Sequence, residues 1–377
     1  MVLVGGGARA AYQAGALQGV ADVVRQELGR ALPIDVISGV SAGAINSTYL
    51  ASRAHEMESA ISGLFQLWNE IEAEHVMKTN SVSLGTIGAR WMRDLVFAGF
   101  FPRKKSNYLL DTSPLEGFLQ RHIDFDGIAR NVKSGVLRGV AVSATNYQTG
   151  TAISFFDGAE DIQPWVRSSR LGKRSPILLE HVLASASIPI LFKPVSIDGF
   201  HFGDGGIRLN TPMSPAIHMG ADRILAVSVR YLRSHSLTVQ LNETPVERQI
   251  TVADIAGSML NAAFLDGLDS DVERMERINQ TIAIMTDDQR AHHPGRLRSI
   301  PMLIIRPSTD LGALASEQFH RFPRALRYMM RGIGASEERG WDFLSYLAFD
   351  YHYSRLLLQL GQADAQAQRE KIVEFFS

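Results

Sequence analysis

Apolar positions along the chain alternate between short unbroken runs and helical stripes. Val2 to Val4 reads as a buried strand, and a glycine-rich turn follows it. Leu17, Val20, Val24 and Leu28 then recur at helical spacing, which predicts a helix that Pro33 ends. Ile34 to Ile37 reads as a second strand, and a second glycine turn leads into a helix over about Ala42 to Arg53. Strand, turn and helix twice in succession is the pattern of an α/β fold built on a parallel sheet. Further strands are predicted at Leu137–Ser143, Thr151–Phe156 and Ile224–Val229, with a turn over Ala144–Gly150 between the first two. Val195–Ile197 and Phe200–Phe202 read as a hairpin.

Residues 231–250 are polar and without period, which places a boundary there. Beyond it, 251–286 reads as helical, Met302–Ile305 as one more strand, and 317–377 as mostly helical. The expected fold is α/β, with a mostly parallel central sheet flanked by helices. Residues 1–230 would form one domain, and 231–377 a mainly helical C-terminal region packing on the core. No internal repeat or low-complexity tract interrupts this organisation.

Composition narrows the chemistry. The chain has 377 residues, 45% of them hydrophobic, enough for a large core. Its net charge of -1 gives no global pull towards nucleic acid or an anionic surface. The absence of cysteine excludes disulfides, thiolate metal sites and a cysteine nucleophile. The start, Met1-Val-Leu-Val followed by glycines, lacks the form of a secretory signal, and no apolar run approaches the ~18 residues needed to span a bilayer. The expected location is cytoplasmic, with any membrane contact peripheral.

Candidate chemistry begins at Gly39-Val-Ser41-Ala-Gly43, which matches G-x-S-x-G between a strand and a helix. That context marks Ser41 as a nucleophile on a tight turn, with a helix N-terminus behind it that favours developing negative charge. Gly5-Gly6-Gly7-Ala8-Arg9 occupies the turn before, where backbone N–H groups can bind an oxyanion. The same loop satisfies a dinucleotide fingerprint through Gly5, Gly7 and Ala10, but Asp35 lies at the start of the second strand instead of its end. A nucleophilic serine needs a base. Downstream histidines include His181, His201, His218, His292, His293, His320 and His352, none with a local context that marks it. Asp204-Gly205-Gly206 stands out instead, as a turn whose backbone can approach another loop or as the hairpin's own exit.

These three pieces, in this order, resemble the patatin-like phospholipases. Flanking segments agree: Ala184-Ser-Ala-Ser-Ile-Pro189, Phe192-Lys-Pro194, Asn210-Thr-Pro212, Gly220-Ala-Asp222 and Asp111-Thr-Ser-Pro-Leu115 are similar to the family's. The resemblance implies a three-layer α/β/α domain and a Ser–Asp dyad. Ser41 would attack the ester and Asp204 accept its proton. Amides of Gly5, Gly6 and Gly7 would hold the oxyanion, with Arg9 holding the loop, favouring an anionic headgroup or capping carbonyls. No metal or cofactor is implied. One departure is Ala10, where the family has glycine; the change is mild if that position is helical.

The implied function is hydrolysis of phospholipid or lysophospholipid esters through an acyl-enzyme. Alternatives are a carboxylesterase or neutral-lipid lipase with the same dyad, a nucleotide-binding oxidoreductase, and a catalytically silent binding module. The expected partner is a lipid ester and not nucleic acid; transient membrane-surface contact and a homodimer stay open. Leu95–Phe101 followed by Arg103, Lys104 and Lys105 reads as a buried helix with basic flanks, a lid or a membrane contact.

Overall fold

The structure is a computed structural model and describes residues 1–96, 107–245, 247, 249–292 and 297–377. Among the described residues, ten strands form one sheet: β1 (Val2–Leu3), β2 (Val36–Val40), β3 (Gly139–Asn146), β4 (Thr151–Gly158), β5 (Trp165–Arg167), β6 (Arg170–Arg174), β7 (Val195–Ile197), β8 (Phe200–Asp204), β9 (Ile224–Val227) and β10 (Met302–Ile305). Their order is β10-β9-β1-β2-β3-β4-β6-β5, with the β7–β8 hairpin joined to β3.

Strands β10, β9, β1, β2 and β3 run parallel, as the repeated strand–turn–helix pattern predicts. The β3–β4, β3–β8, β5–β6 and β7–β8 pairs are antiparallel, so the sheet as a whole is mixed. Strands β5 and β6 were not foreseen. They are short and rich in arginine, without the apolar alternation that marks a strand.

Helix α1 (Ala11–Leu28) begins one 3-10 turn after the first glycine loop, and its stripe residues Leu17, Val20 and Val24 are fully buried. Helix α2 (Ala42–Ser52) follows the second loop and is buried at every residue. A helix enclosed all round needs no polar face, and the small residues of α2 let its neighbours approach closely. Helix α3 (Met57–Glu70) has one buried face, formed by Met57, Ala60, Ile61, Leu64, Leu67 and Trp68.

The region after residue 230 contributes to the same core. Strand β10 pairs with β9 in register Met302↔Ile224 to Ile305↔Val227. The helix Tyr351–Ala367 lies along α1, where Tyr12 Oη donates to Asp364 Oδ2 at 2.9 Å. Residues 251–286 divide at Leu265 into two helices, Val252–Phe264 and Asp266–Ile284. The polar stretch 231–250 holds a short helix, His235–Glu243, with no buried residue, which explains its lack of period. The patch predicted at 95–105 lies outside the described residues except for the helical backbone of Leu95 and Val96. Among the described residues, no helix is long and apolar enough to cross a membrane.

Candidate functional site

The glycine loop and the serine turn leave the carboxyl ends of adjacent parallel strands, β1 and β2. In open α/β sheets ligands bind in the crevice beyond those ends. Ser41 sits at the elbow between β2 and α2 with φ 57° and ψ −132°. A side-chain-bearing residue in that conformation stores about 1–3 kcal/mol of strain and persists only where its surroundings fix it.

The surroundings do fix it. The Ser41 N–H donates to Ser185 Oγ at 2.9 Å, and that hydroxyl donates in turn to the Ser143 carbonyl at 2.6 Å. Gly39 and Gly43 flank the turn so closely that a Cβ on Gly39 would lie 2.4 Å from the Gly43 carbonyl oxygen. The elbow is thus braced from β3 and from the helix Leu179–Ser185.

Asp204 ends β8. Antiparallel pairing with β3 sets it opposite Ala144. Its backbone N–H donates to the Ser187 carbonyl at 3.0 Å, and its carbonyl accepts from Thr145 Oγ1 at 2.8 Å. With the backbone pinned at both groups, the carboxylate is held over the elbow. Oδ2 accepts from Ser41 Oγ at 2.5 Å, and Oδ1 accepts from the Gly206 N–H at 2.9 Å. Both side chains are buried, Ser41 at 2% and Asp204 at 0% exposure. Burial pushes the Asp204 carboxyl up from 3.8 to about 7, although the hydrogen bonds from Ser41 and Gly206 favour its charged form. A carboxyl group titrating there is poised to take up or release a proton at neutral pH. Burial and the neighbouring Asp204 push the Tyr147 phenol up to about 12.

The first glycine loop lies across the serine. A Cβ on Gly5 would stand 2.8 Å from Ser41 Cβ and 3.4 Å from its Oγ. Gly7 has φ +57°, and a Cβ there would meet the Tyr346 carbonyl oxygen at 2.3 Å, so only glycine fits. Ala10 has φ −67° and ψ −12°, a right-handed conformation in which alanine costs nothing.

Arg9 turns away from the serine. Its side chain is 3% exposed, donates to Ser345 Oγ at 2.7 Å and Asp342 Oδ1 at 2.8 Å, and lies 4.7 Å over the Tyr346 ring. Burial disfavours its charge, but Tyr346, Asp342 and Tyr353 outweigh that and hold the guanidinium above its ordinary value. Among the three roles open to Arg9, the geometry matches holding the loop: it ties the glycine turn to the helix Trp341–Leu347.

Among the described residues, no histidine bonds to Ser41. The His181 ring packs on Phe155 and accepts from the Leu178 N–H, and His218 stacks on Trp165; burial takes both down to about 4. His201 bonds to Gln148, His320 to the Glu317 carbonyl, and His352 meets the Tyr351 ring edge-on. The His292 side chain and His293 lie outside the described residues. No group of acids and histidines among the described residues could hold a metal ion. Asp35 precedes β2, whose far end carries Ser41, so no acid closes the second strand where a ribose would need one.

Phe264 was not foreseen from the sequence. It ends the helix Val252–Phe264 and is 5% exposed. Its Cδ1 stands 2.1 Å from where a Cβ on Gly206 would be and 3.5 Å from one on Gly5. The ring therefore covers the space between the glycine loop and the Asp204 turn. Ser185 was seen only as part of a family-like segment, and its bond to the elbow depends on a fold contact 144 residues apart.

By class this is an α/β protein in which a buried serine and carboxylate meet at the carboxyl ends of parallel strands. A family model described as patatin-like phospholipase matches residues 1–217, and the chain belongs to that family. Phospholipase activity is what the description of that family names. Among solved structures, VipD from Legionella pneumophila is similar at 12% identity and a TM-score of 0.29, over 95% of this chain and 66% of VipD. The chain thus spans just under two thirds of VipD's length. Among curated proteins, none matches.

Proposed function

We propose that this protein hydrolyses ester bonds of phospholipids or lysophospholipids through a Ser41–Asp204 dyad. The observation that carries the proposal is the 2.5 Å hydrogen bond from Ser41 Oγ to Asp204 Oδ2, made by two buried groups on the elbow and the turn facing it. Ser41 Oγ attacks the ester carbonyl and Asp204 accepts the hydroxyl proton. The tetrahedral oxyanion lies between the Gly5–Gly7 amides and the N-terminus of α2. On collapse, Asp204 returns the proton to the departing alcohol, leaving the acyl group on Ser41. A water molecule then attacks the acyl-enzyme, giving its proton to Asp204, and the fatty acid leaves as Ser41 is regenerated. Gly39 and Gly43 shape the elbow, and Gly205 and Gly206 shape the aspartate turn. On this reading 1–230 carries the chemistry, and 231–377 covers it.

Hydrolysis of p-nitrophenyl esters and of a phospholipid panel by wild type, Ser41→Ala and Asp204→Asn tests this. Loss of kcat by about a thousandfold or more is expected in each folded variant. Activity surviving in Asp204→Asn would mean that another base serves Ser41.

A further inference from the structure

The helix Val252–Phe264 has two unlike faces. Inward, Ala253 and Phe264 are buried, and Leu260 and Ala263 pack on the core. Tyr346 Oη donates to Asn261 Oδ1 at 3.0 Å, and the Tyr346 and Phe264 rings stand 5.7 Å apart. This face covers the Ser41 site. Outward, the exposed residues are Val252, Ile255, Ser258, Met259 and Ala262, and none is charged. Val252, Ile255 and Met259 are 63%, 55% and 67% exposed, with Ile250 at 59% just before the cap. The helix's one charged residue, Asp254, closes the capping box with Thr251. A helix exposed to water ordinarily carries charge on its outer face, and a continuous apolar one marks an interaction surface.

Next to it lies a helix of opposite character. Arg324–Gly332 meets the cap where the Ala253 N–H donates to the Ile333 carbonyl at 3.0 Å. It exposes Arg324, Arg331 and Tyr328, the last at 82%. Trp341, which opens the helix Trp341–Leu347, is 44% exposed. Residues 324–339 hold four arginines against two glutamates. Apolar side chains beside arginine and interfacial aromatics suit the boundary between acyl chains and anionic headgroups.

We propose that Ile250, Val252, Ile255 and Met259 dock on the surface of an anionic phospholipid bilayer, setting the covered Ser41 site against the lipid. The inference rests on the acyl-hydrolase reading for its purpose, but its test does not depend on turnover. Co-sedimentation with vesicles of phosphatidylcholine and phosphatidylglycerol in equal parts is measured in Ser41→Ala protein. It is repeated with Ile255→Glu and Met259→Glu added, and with serine at both positions as a milder pair. Circular dichroism and melting temperature report folding. Ser41→Ala is expected to sediment with the vesicles, and the added substitutions to weaken that binding about tenfold or more. Three results overturn the proposal. One is Ser41→Ala remaining in the supernatant. Another is folded variants that sediment as well as their parent. The third is a parent dimeric in solution whose added substitutions yield monomers without changing vesicle binding, which assigns the face to a second copy of the chain. Failure of the dyad reading shows separately, as a wild type that cleaves no ester whatever its vesicle binding.

Discussion

A serine at φ 57° and a carboxylate at 0% exposure both stand where isolated residues would not stay. The elbow conformation is sterically costly, and burial of a carboxylate favours its neutral form. The bonds around them account for their position. Ser185→Ala would leave the Ser41 N–H and the Ser143 carbonyl without their partner, at about 1–3 kcal/mol for each group left unsatisfied. The expected result is a lower melting temperature and a fall in kcat with little change in KM. On the proposed mechanism the Asp204 carboxyl, raised to about 7, sets the pH dependence. Proton acceptance needs its charged form, so kcat/KM is expected to rise with pH to a plateau with an apparent pKa near 7, read from a pH–rate profile. For stability the sign is opposite. A carboxyl whose pKa is raised on folding stabilises the protein fully below about 4, and that contribution is lost as pH rises through about 7. Asp204→Asn, which cannot ionise, is expected to melt higher than wild type at pH ~8, by on the order of a few kcal/mol, and to show no such gain at pH ~4.

The first helix and the helix Tyr351–Ala367 pack at Gly15, where a Cβ would lie 2.1 Å from the Leu358 carbonyl oxygen. Gly15→Val is expected to force these helices apart and cost about 2–3 kcal/mol, measured by urea denaturation. Periodicity revealed α1 because its buried stripe repeats at helical spacing against one partner. It could not reveal how α2 packs, since a helix buried all round has no polar face to alternate with. β5 and β6 escaped for the converse reason: these short, charged strands at the sheet end bury one residue each, Trp165 and Gly172, too few to make a pattern.

Across the whole molecule, Arg9 links the first turn to residues more than 300 positions later. Its charge is buried, whereas Asp342 is 38% exposed. Asp342→Ala leaves an enclosed guanidinium without its carboxylate partner and is expected to cost about 2–3 kcal/mol, less than a fully buried pair because water reaches the vacated side. Thermal melting checks the loss. A fall in kcat accompanying it would show that the helix Trp341–Leu347 holds the glycine loop in its working shape.

The sequence by itself determined the parallel strand–turn–helix core, the serine elbow, the glycine loop and the family, because each of these is written in residues close together along the chain. Local spacing also singled out Asp204-Gly205-Gly206, yet left open whether it was a site or a hairpin's exit. Only the tertiary structure brought Asp204 Oδ2 to Ser41 Oγ, set Ser185 behind the elbow, turned Arg9 towards Asp342 and laid Phe264 between the glycine loop and the Asp204 turn. Those contacts join residues from 144 to 333 positions apart where a separation is defined by a hydrogen bond. Their geometry depends on strand register and helix packing across the fold, to which local periodicity is blind.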